Sequence, residues 1–171
     1  MLPIRADRTR FFLPLLLLLA LAMTSAPDAP AETVVLTPVL DASLFDPECE
    51  KSNGIGEYMF AGNTDGQGLR RCLMAFDIAG NLPAGVTVSS VSLTLYMSRS
   101  NTGAQNHDLH VVTQEWGEGN SDAGDPGGAG TSSENGDASW CYRIYNKDNT
   151  ELSLSWTTDG GDFVPAVSAS Q

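Results

Sequence analysis

The chain has 171 residues, with 21 acidic side chains against 9 basic ones and a formal net charge of −12. Such a balance argues against binding a nucleic-acid backbone, which needs clustered Lys and Arg. It favours solubility, cation binding or a high-salt setting, and most acidic surfaces are only solvated ones.

At the N-terminus, Arg5, Arg8 and Arg10 precede an apolar run over residues 11–23. Ala29, Pro30 and Ala31 then give the small-residue spacing that a signal peptidase accepts. The run falls short of the roughly 20 residues a membrane span needs. A secretory signal over residues 1–31 is expected, with an uncleaved anchor as the alternative. The mature part, residues 32–171, has the size of one ordinary domain working outside the cytoplasm. No later segment is apolar enough to span a membrane.

Beyond the signal, apolar residues come in short runs separated by Gly, Asn, Asp and Pro, the pattern of a sheet protein. Strands are predicted at residues 33–39, at 57–61 after the Asn53-Gly54-Ile55-Gly56 turn, and at 70–77. The clearest is residues 88–98, where Val91, Leu93, Leu95 and Met97 alternate with Ser90, Ser92, Thr94 and Tyr96. Period-two alternation of that length implies one buried and one wet face. Further strands are predicted at 108–114, 139–145 and, more weakly, 162–168. Residues 117–136 form an acidic, Gly-rich loop without Lys or Arg, long enough to be functional or disordered. The expected fold is all-β, an antiparallel β-sandwich or jelly roll.

Three cysteines allow at most one intramolecular disulfide. Cys49 and Cys141 lie near polar turns and are the favoured pair. Cys72 sits in an apolar strand pattern and is expected to be buried. No Cys/His spacing points to zinc.

Four segments then stand in a telling order. They are Asp41 with Asn53-Gly54; Arg71-Cys-Leu-Met-Ala-Phe-Asp77; Leu82-Pro-Ala-Gly-Val-Thr-Val-Ser-Ser-Val-Ser-Leu-Thr-Leu-Tyr96; and Trp116-Gly-Glu118. Over residues 34–140 this order resembles the DNRLRE-domain family, secreted bacterial β-sandwich modules related to carbohydrate-binding family 96. The resemblance implies a carbohydrate-associated module. Two departures stand out: the acidic loop intervenes before Trp140, and the family's closing strands have no counterpart after Gln171. An incomplete sandwich, with unpaired edges and exposed core surface, is therefore expected.

For sugar contact the candidates are Trp116, Trp140, Trp156 and Tyr96, since a flat aromatic ring stacks on the apolar face of a pyranose. Trp116 and Trp140 compete with a core reading. Trp156, in the polar stretch Ser155-Trp-Thr-Thr-Asp-Gly-Gly, is expected to be more exposed. Glu118, Asp122 and Asp125, with Glu115, Glu134 and Asp137 nearby, could gather oxygen ligands for calcium, although no EF-hand spacing is present. Asp41, Asn53 and Asp77 are a separate metal set, by analogy with sandwiches that hold a structural calcium. His107 and His110 fall on opposite faces of an extended strand and cannot easily share a metal or a proton. No catalytic motif is found. The expected function is a secreted, non-catalytic module that binds polysaccharide. The rivals are a structural surface or matrix domain and a part of a polysaccharide-degrading enzyme.

Overall fold

Residues 40–45 read Leu-Asp-Ala-Ser-Leu-Phe, and in the computed structural model, which describes residues 31–171 other than 65 and 67, they form a central strand. The expected signal over residues 1–31 lies, but for Ala31, outside the described residues. The strands are β1 (Leu40–Phe45), β2 (Lys51–Asn53), β3 (Gly62–Thr64), β4 (Gly68–Ala75), β5 (Asp108–Leu109), β6 (Thr131–Ser132), β7 (Tyr142–Ile144), β8 (Leu154–Ser155) and β9 (Ala169–Ser170). One short helix, α1 (Ile78–Asn81), and a 3-10 turn, Thr150–Leu152, complete the regular structure among the described residues. The chain is all-β, with antiparallel pairing throughout.

The main sheet has the order β3-β4-β1-β2-β6. β1 and β4 pair along their length, from Leu40 opposite Ala75 to Phe45 opposite Arg70. Side chains alternate across a strand, so Ala42, Leu44 and Leu73 share one face. That face buries against Ala138, Trp140 and Trp156 to make the core. Arg71 locks the same face. Its guanidinium carbon lies 5.1 Å from the Trp140 ring centre and 5.2 Å from that of Phe163, within cation–π range. Its Nη1 donates to the Gly160 carbonyl at 2.6 Å. Gly160 has a φ of +85°, and a Cβ there would press on both Arg71 and Trp140, so glycine is required. On the opposite face Phe45 is fully buried, with Phe60 at 6.4 Å between ring centres and the Arg70 guanidinium 4.8 Å over its ring.

Cys49, in the loop after β1, is joined to Cys141 at the start of β7. The favoured pairing is the one formed. Cys72 is the free thiol, with its side chain turned to the Phe45 face. Burial, and secondarily the Asp41 carboxylate, push it up to about 12 from 9.0. A raised thiol pKa keeps the proton on the folded chain while the unfolded chain releases it above pH 9. The resulting stability is therefore complete below pH 9 and is lost as pH rises toward 12, at no more than about 1.4 kcal/mol per pH unit. Cys72→Ala should flatten the fall in unfolding free energy between pH 9 and 11, measured by urea denaturation. An unchanged slope would mean that other groups set it.

Several predicted strands shift, each for a physical reason. Residues 33–39 do not pair as a strand, and the ladder starts at Leu40. Pro38 has no N–H to give to a neighbour. Residues 57–61 are a loop, with β3 beginning just beyond them at Gly62. Of residues 108–114, only β5 and an isolated bridge between Val112 and Phe163 are paired. The largest difference concerns residues 88–98. They are in no strand, with Val91 87% and Tyr96 92% exposed. Their alternation is real, yet the described residues supply no partner strand to complete it.

Candidate functional site

A groove of about 730 Å³ runs beside the open end of the β1–β4 ladder. Its apolar floor comes from Leu40, Met74 and Ala75 of the main sheet and from Ile144 of β7; its wall is residues 110–116. That wall is held from both sides. Val164 donates its N–H to the Val111 carbonyl, and Thr113 donates its N–H to the Asp162 carbonyl, at 2.8 and 2.9 Å. Arg143 Nη1 donates to the Glu115 carbonyl at 3.0 Å, and Gly117 N–H to the Arg143 carbonyl at 3.0 Å. The backbone on both sides of Trp116 is therefore anchored. Trp116 is half-buried, packed against the core on one side and lining the groove on the other.

Polar groups accompany it. Gln114 donates to Asp162 Oδ2 at 2.8 Å. His110 Nδ1 lies 3.0 Å from the Val164 carbonyl; a carbonyl only accepts, so Nδ1 carries the hydrogen. Thr113 and Glu115 add a hydroxyl and a carboxylate to the wall. An aromatic ring among apolar side chains, edged by donors and acceptors, is the general make-up of a small-ligand or sugar site. The groove is lined by no Lys or Arg.

The other aromatic candidates fall elsewhere. Trp156 is only 4% exposed and Trp140 9%. The Trp156 indole N–H donates to the Ser139 carbonyl at 3.0 Å. Both rings are core, so neither is free to stack on a sugar, and the expected exposure of Trp156 is corrected. Its polar neighbours are instead wound into a turn around Asp162, which accepts from the Thr157 and Thr158 N–H groups at 2.8 and 3.0 Å. Those hydrogen bonds, the Thr157 amide first, hold the Asp162 carboxyl below its usual range. Tyr96 is exposed but does not line the groove.

The acidic loop over residues 117–136 is folded onto the body of the protein. Asp137 is fully buried, and its carboxylate accepts from the N–H groups of Asn120, Ser121 and Glu134. Gly54 N–H donates to both the Ser121 carbonyl and its hydroxyl at 3.0 Å. A Cβ on Gly54 would overlap the Glu118 carbonyl, so the turn after β2 and the loop fit only with glycine between them.

The two proposed metal sets are dispersed by this arrangement. Asn53 is buried, its Oδ1 accepting from Ala123 N–H and its Nδ2 donating to the Tyr58 carbonyl. Asp77 caps α1 by accepting from Gly80 N–H at 2.8 Å. Asp122 accepts from Gly124 N–H at 2.8 Å, and Asp125 precedes Pro126 in the same loop. Glu134 is in an exposed ion pair with Lys147 at 2.7 Å. Asp41 and Glu118, one from each set, do meet: Glu118 Oε1 accepts the Asp41 N–H at 2.8 Å. Burial first, and Glu118 second, raise the Asp41 carboxyl above its usual range. Among the described residues, no three His, Cys, Asp or Glu side chains converge.

Sequence reasoning placed Trp116 in the site but missed Gln114, His110 and the apolar floor. His110 and Gln114 carry no motif, and what sets them beside Trp116 is the pairing of residues 111–113 with 162–164, which local spacing does not show. No helix among the described residues is long and apolar enough to cross a membrane. No family model, curated protein or solved structure matches the chain.

Proposed function

We propose that this chain is a secreted, non-catalytic β-sandwich module that holds polysaccharide through the Trp116 groove. The observation that carries the reading is the groove itself, lined by half-buried Trp116 together with apolar Leu40, Met74, Ala75 and Ile144 and polar Gln114, Thr113, Glu115 and His110. The absence of basic lining residues and the net charge of −12 favour neutral glycans. An acidic surface repels uronates unless a divalent cation such as calcium bridges the two.

Calorimetric titration with neutral and uronate polysaccharides, each with and without calcium, tests this. Binding of at least one neutral polymer is expected, with uronate binding only when calcium is present. Failure of a folded protein to bind any of them would end the proposal. A structural role at a surface or in a matrix is the second reading, favoured by the exposed apolar segment at residues 86–98.

A further inference from the structure

The chain holds two Asn-Gly pairs, Asn53-Gly54 and Asn135-Gly136, and the fold treats them oppositely. In such a pair the glycine amide nitrogen reaches the asparagine side-chain carbonyl carbon easily, because glycine has no Cβ to obstruct it. When it attacks, the N–Cγ bond forms and the Cγ–Nδ2 bond breaks. The glycine N–H proton leaves with Nδ2 as ammonia, and a five-membered succinimide remains. Water then opens the ring at one carbonyl or the other, giving aspartate or isoaspartate. Asn53 is kept from this reaction. It and Gly54 are buried; Asn53 Oδ1 accepts from Ala123 N–H at 2.9 Å and Nδ2 donates to the Tyr58 carbonyl at 2.8 Å. The nucleophile is held as well, with Gly54 N–H shared between the Ser121 carbonyl and hydroxyl, each at 3.0 Å. Freeing these groups means lifting the acidic loop off β2.

Asn135 stands instead in an exposed turn at the far end of that loop. Its Oδ1 accepts from Lys147 N–H at 2.7 Å, its Nδ2 donates to Asp148 Oδ2 at 2.8 Å, and Gly136 N–H donates to the Tyr145 carbonyl at 2.8 Å. Lys147 and Asp148 are exposed too, so this clasp opens into water without disturbing the core. Such solvent-facing hydrogen bonds open at the lowest cost. We infer that Asn135 is a site of spontaneous deamidation, and that its conversion loosens the loop over residues 117–136. The product carboxylate only accepts hydrogen bonds, so it has nothing to give Asp148 and repels it. Isoaspartate also adds a methylene to the main chain just before Gly136, which displaces the N–H held by Tyr145. Asp137 follows directly. Its carboxylate carries the amides of Asn120, Ser121 and Glu134, so the change reaches the anchor of the loop.

Ageing the purified protein at mildly alkaline pH, with peptide mapping by mass spectrometry at intervals, reads the site directly. Asn135 should convert at least tenfold faster than Asn53 in the folded protein. In guanidinium, where the fold no longer separates them, the two pairs should convert at similar rates. Equal rates in the folded protein overturn the site. So does an Asn135 that stays intact when folded over a period in which the unfolded chain converts there. Loosening is read by a protease that cuts after Glu, since Glu134 lies beside the turn. Cleavage there should be at least threefold faster in the converted protein than in the fresh one. Asn135→Gln, whose longer side chain closes a ring far more slowly, should keep its original cleavage rate after the same ageing. A converted protein cut no faster than the fresh one, or an aged Asn135→Gln variant that accelerates equally, overturns the loosening.

Discussion

Replacing Trp156 by alanine is expected to lower the unfolding free energy by about 3–5 kcal/mol, a large share of the roughly 5–15 kcal/mol that holds a domain together. The indole is 4% exposed and packs with Ala42, Leu44, Leu73, Ala138 and Trp140. Truncation leaves a cavity where the β1–β4 face meets the segments around Trp140 and Trp156. It also strands the Ser139 carbonyl, which accepts the indole N–H at 3.0 Å, and a buried unsatisfied acceptor costs about 1–3 kcal/mol. Trp156→Phe keeps most of the volume and should cost less than the alanine variant. Urea denaturation followed by circular dichroism provides the check, with the alanine midpoint about 2 M lower. A loss under about 1 kcal/mol would place Trp156 outside the core.

The Cys49–Cys141 bridge carries the second large effect. It closes a loop with a sequence separation of 92, and the chain-entropy estimate for a loop of that size is roughly 4–5 kcal/mol. It also ties the loop after β1 to the start of β7, where Ile144 lies in the groove floor and Arg143 supports the wall through the Glu115 carbonyl. The Cys49→Ala/Cys141→Ala double variant is expected to lose about 2–5 kcal/mol, with a thermal midpoint on the order of 10 °C lower. Scanning calorimetry of the oxidised protein and of the variant measures it. Equal midpoints would mean that the hydrogen-bonded loop alone fixes β7.

The sequence exposed some of this architecture and concealed the rest, and side-chain polarity explains which. β4 was legible because Leu73 and its alternating neighbours sit between clear turns. β1 and β2 were not, because their interiors are partly polar. Ser43 accepts the Phe60 N–H, Ser52 donates to the Ala138 carbonyl, and Asn53 bonds Ala123 and Tyr58, all while buried. Short side chains whose hydrogen bonds are met cost little inside, but hydropathy patterns cannot flag them. Asp137 misled in the same way: it reads as a loop acid and serves as the buried acceptor on which the loop is wound. Residues 88–98 are the opposite case, a strand pattern plain in the sequence that the described residues leave unpaired. In the site, Trp116 was legible as a candidate, whereas its separation from Trp140 and Trp156 depends on long-range packing that no local spacing encodes.

If the Trp116 groove holds glycan as proposed, the three indole N–H resonances of the folded protein will report it. Titration of isotope-labelled protein with a neutral polysaccharide, or with oligomers cut from one, should move the Trp116 resonance in a saturable manner. Those of buried Trp140 and Trp156 should stay nearly still, and Trp116→Ala should weaken binding at least tenfold, about 1.4 kcal/mol. Saturable binding that leaves the Trp116 resonance unmoved, or that survives Trp116→Ala undiminished, would rule out this groove as the glycan site.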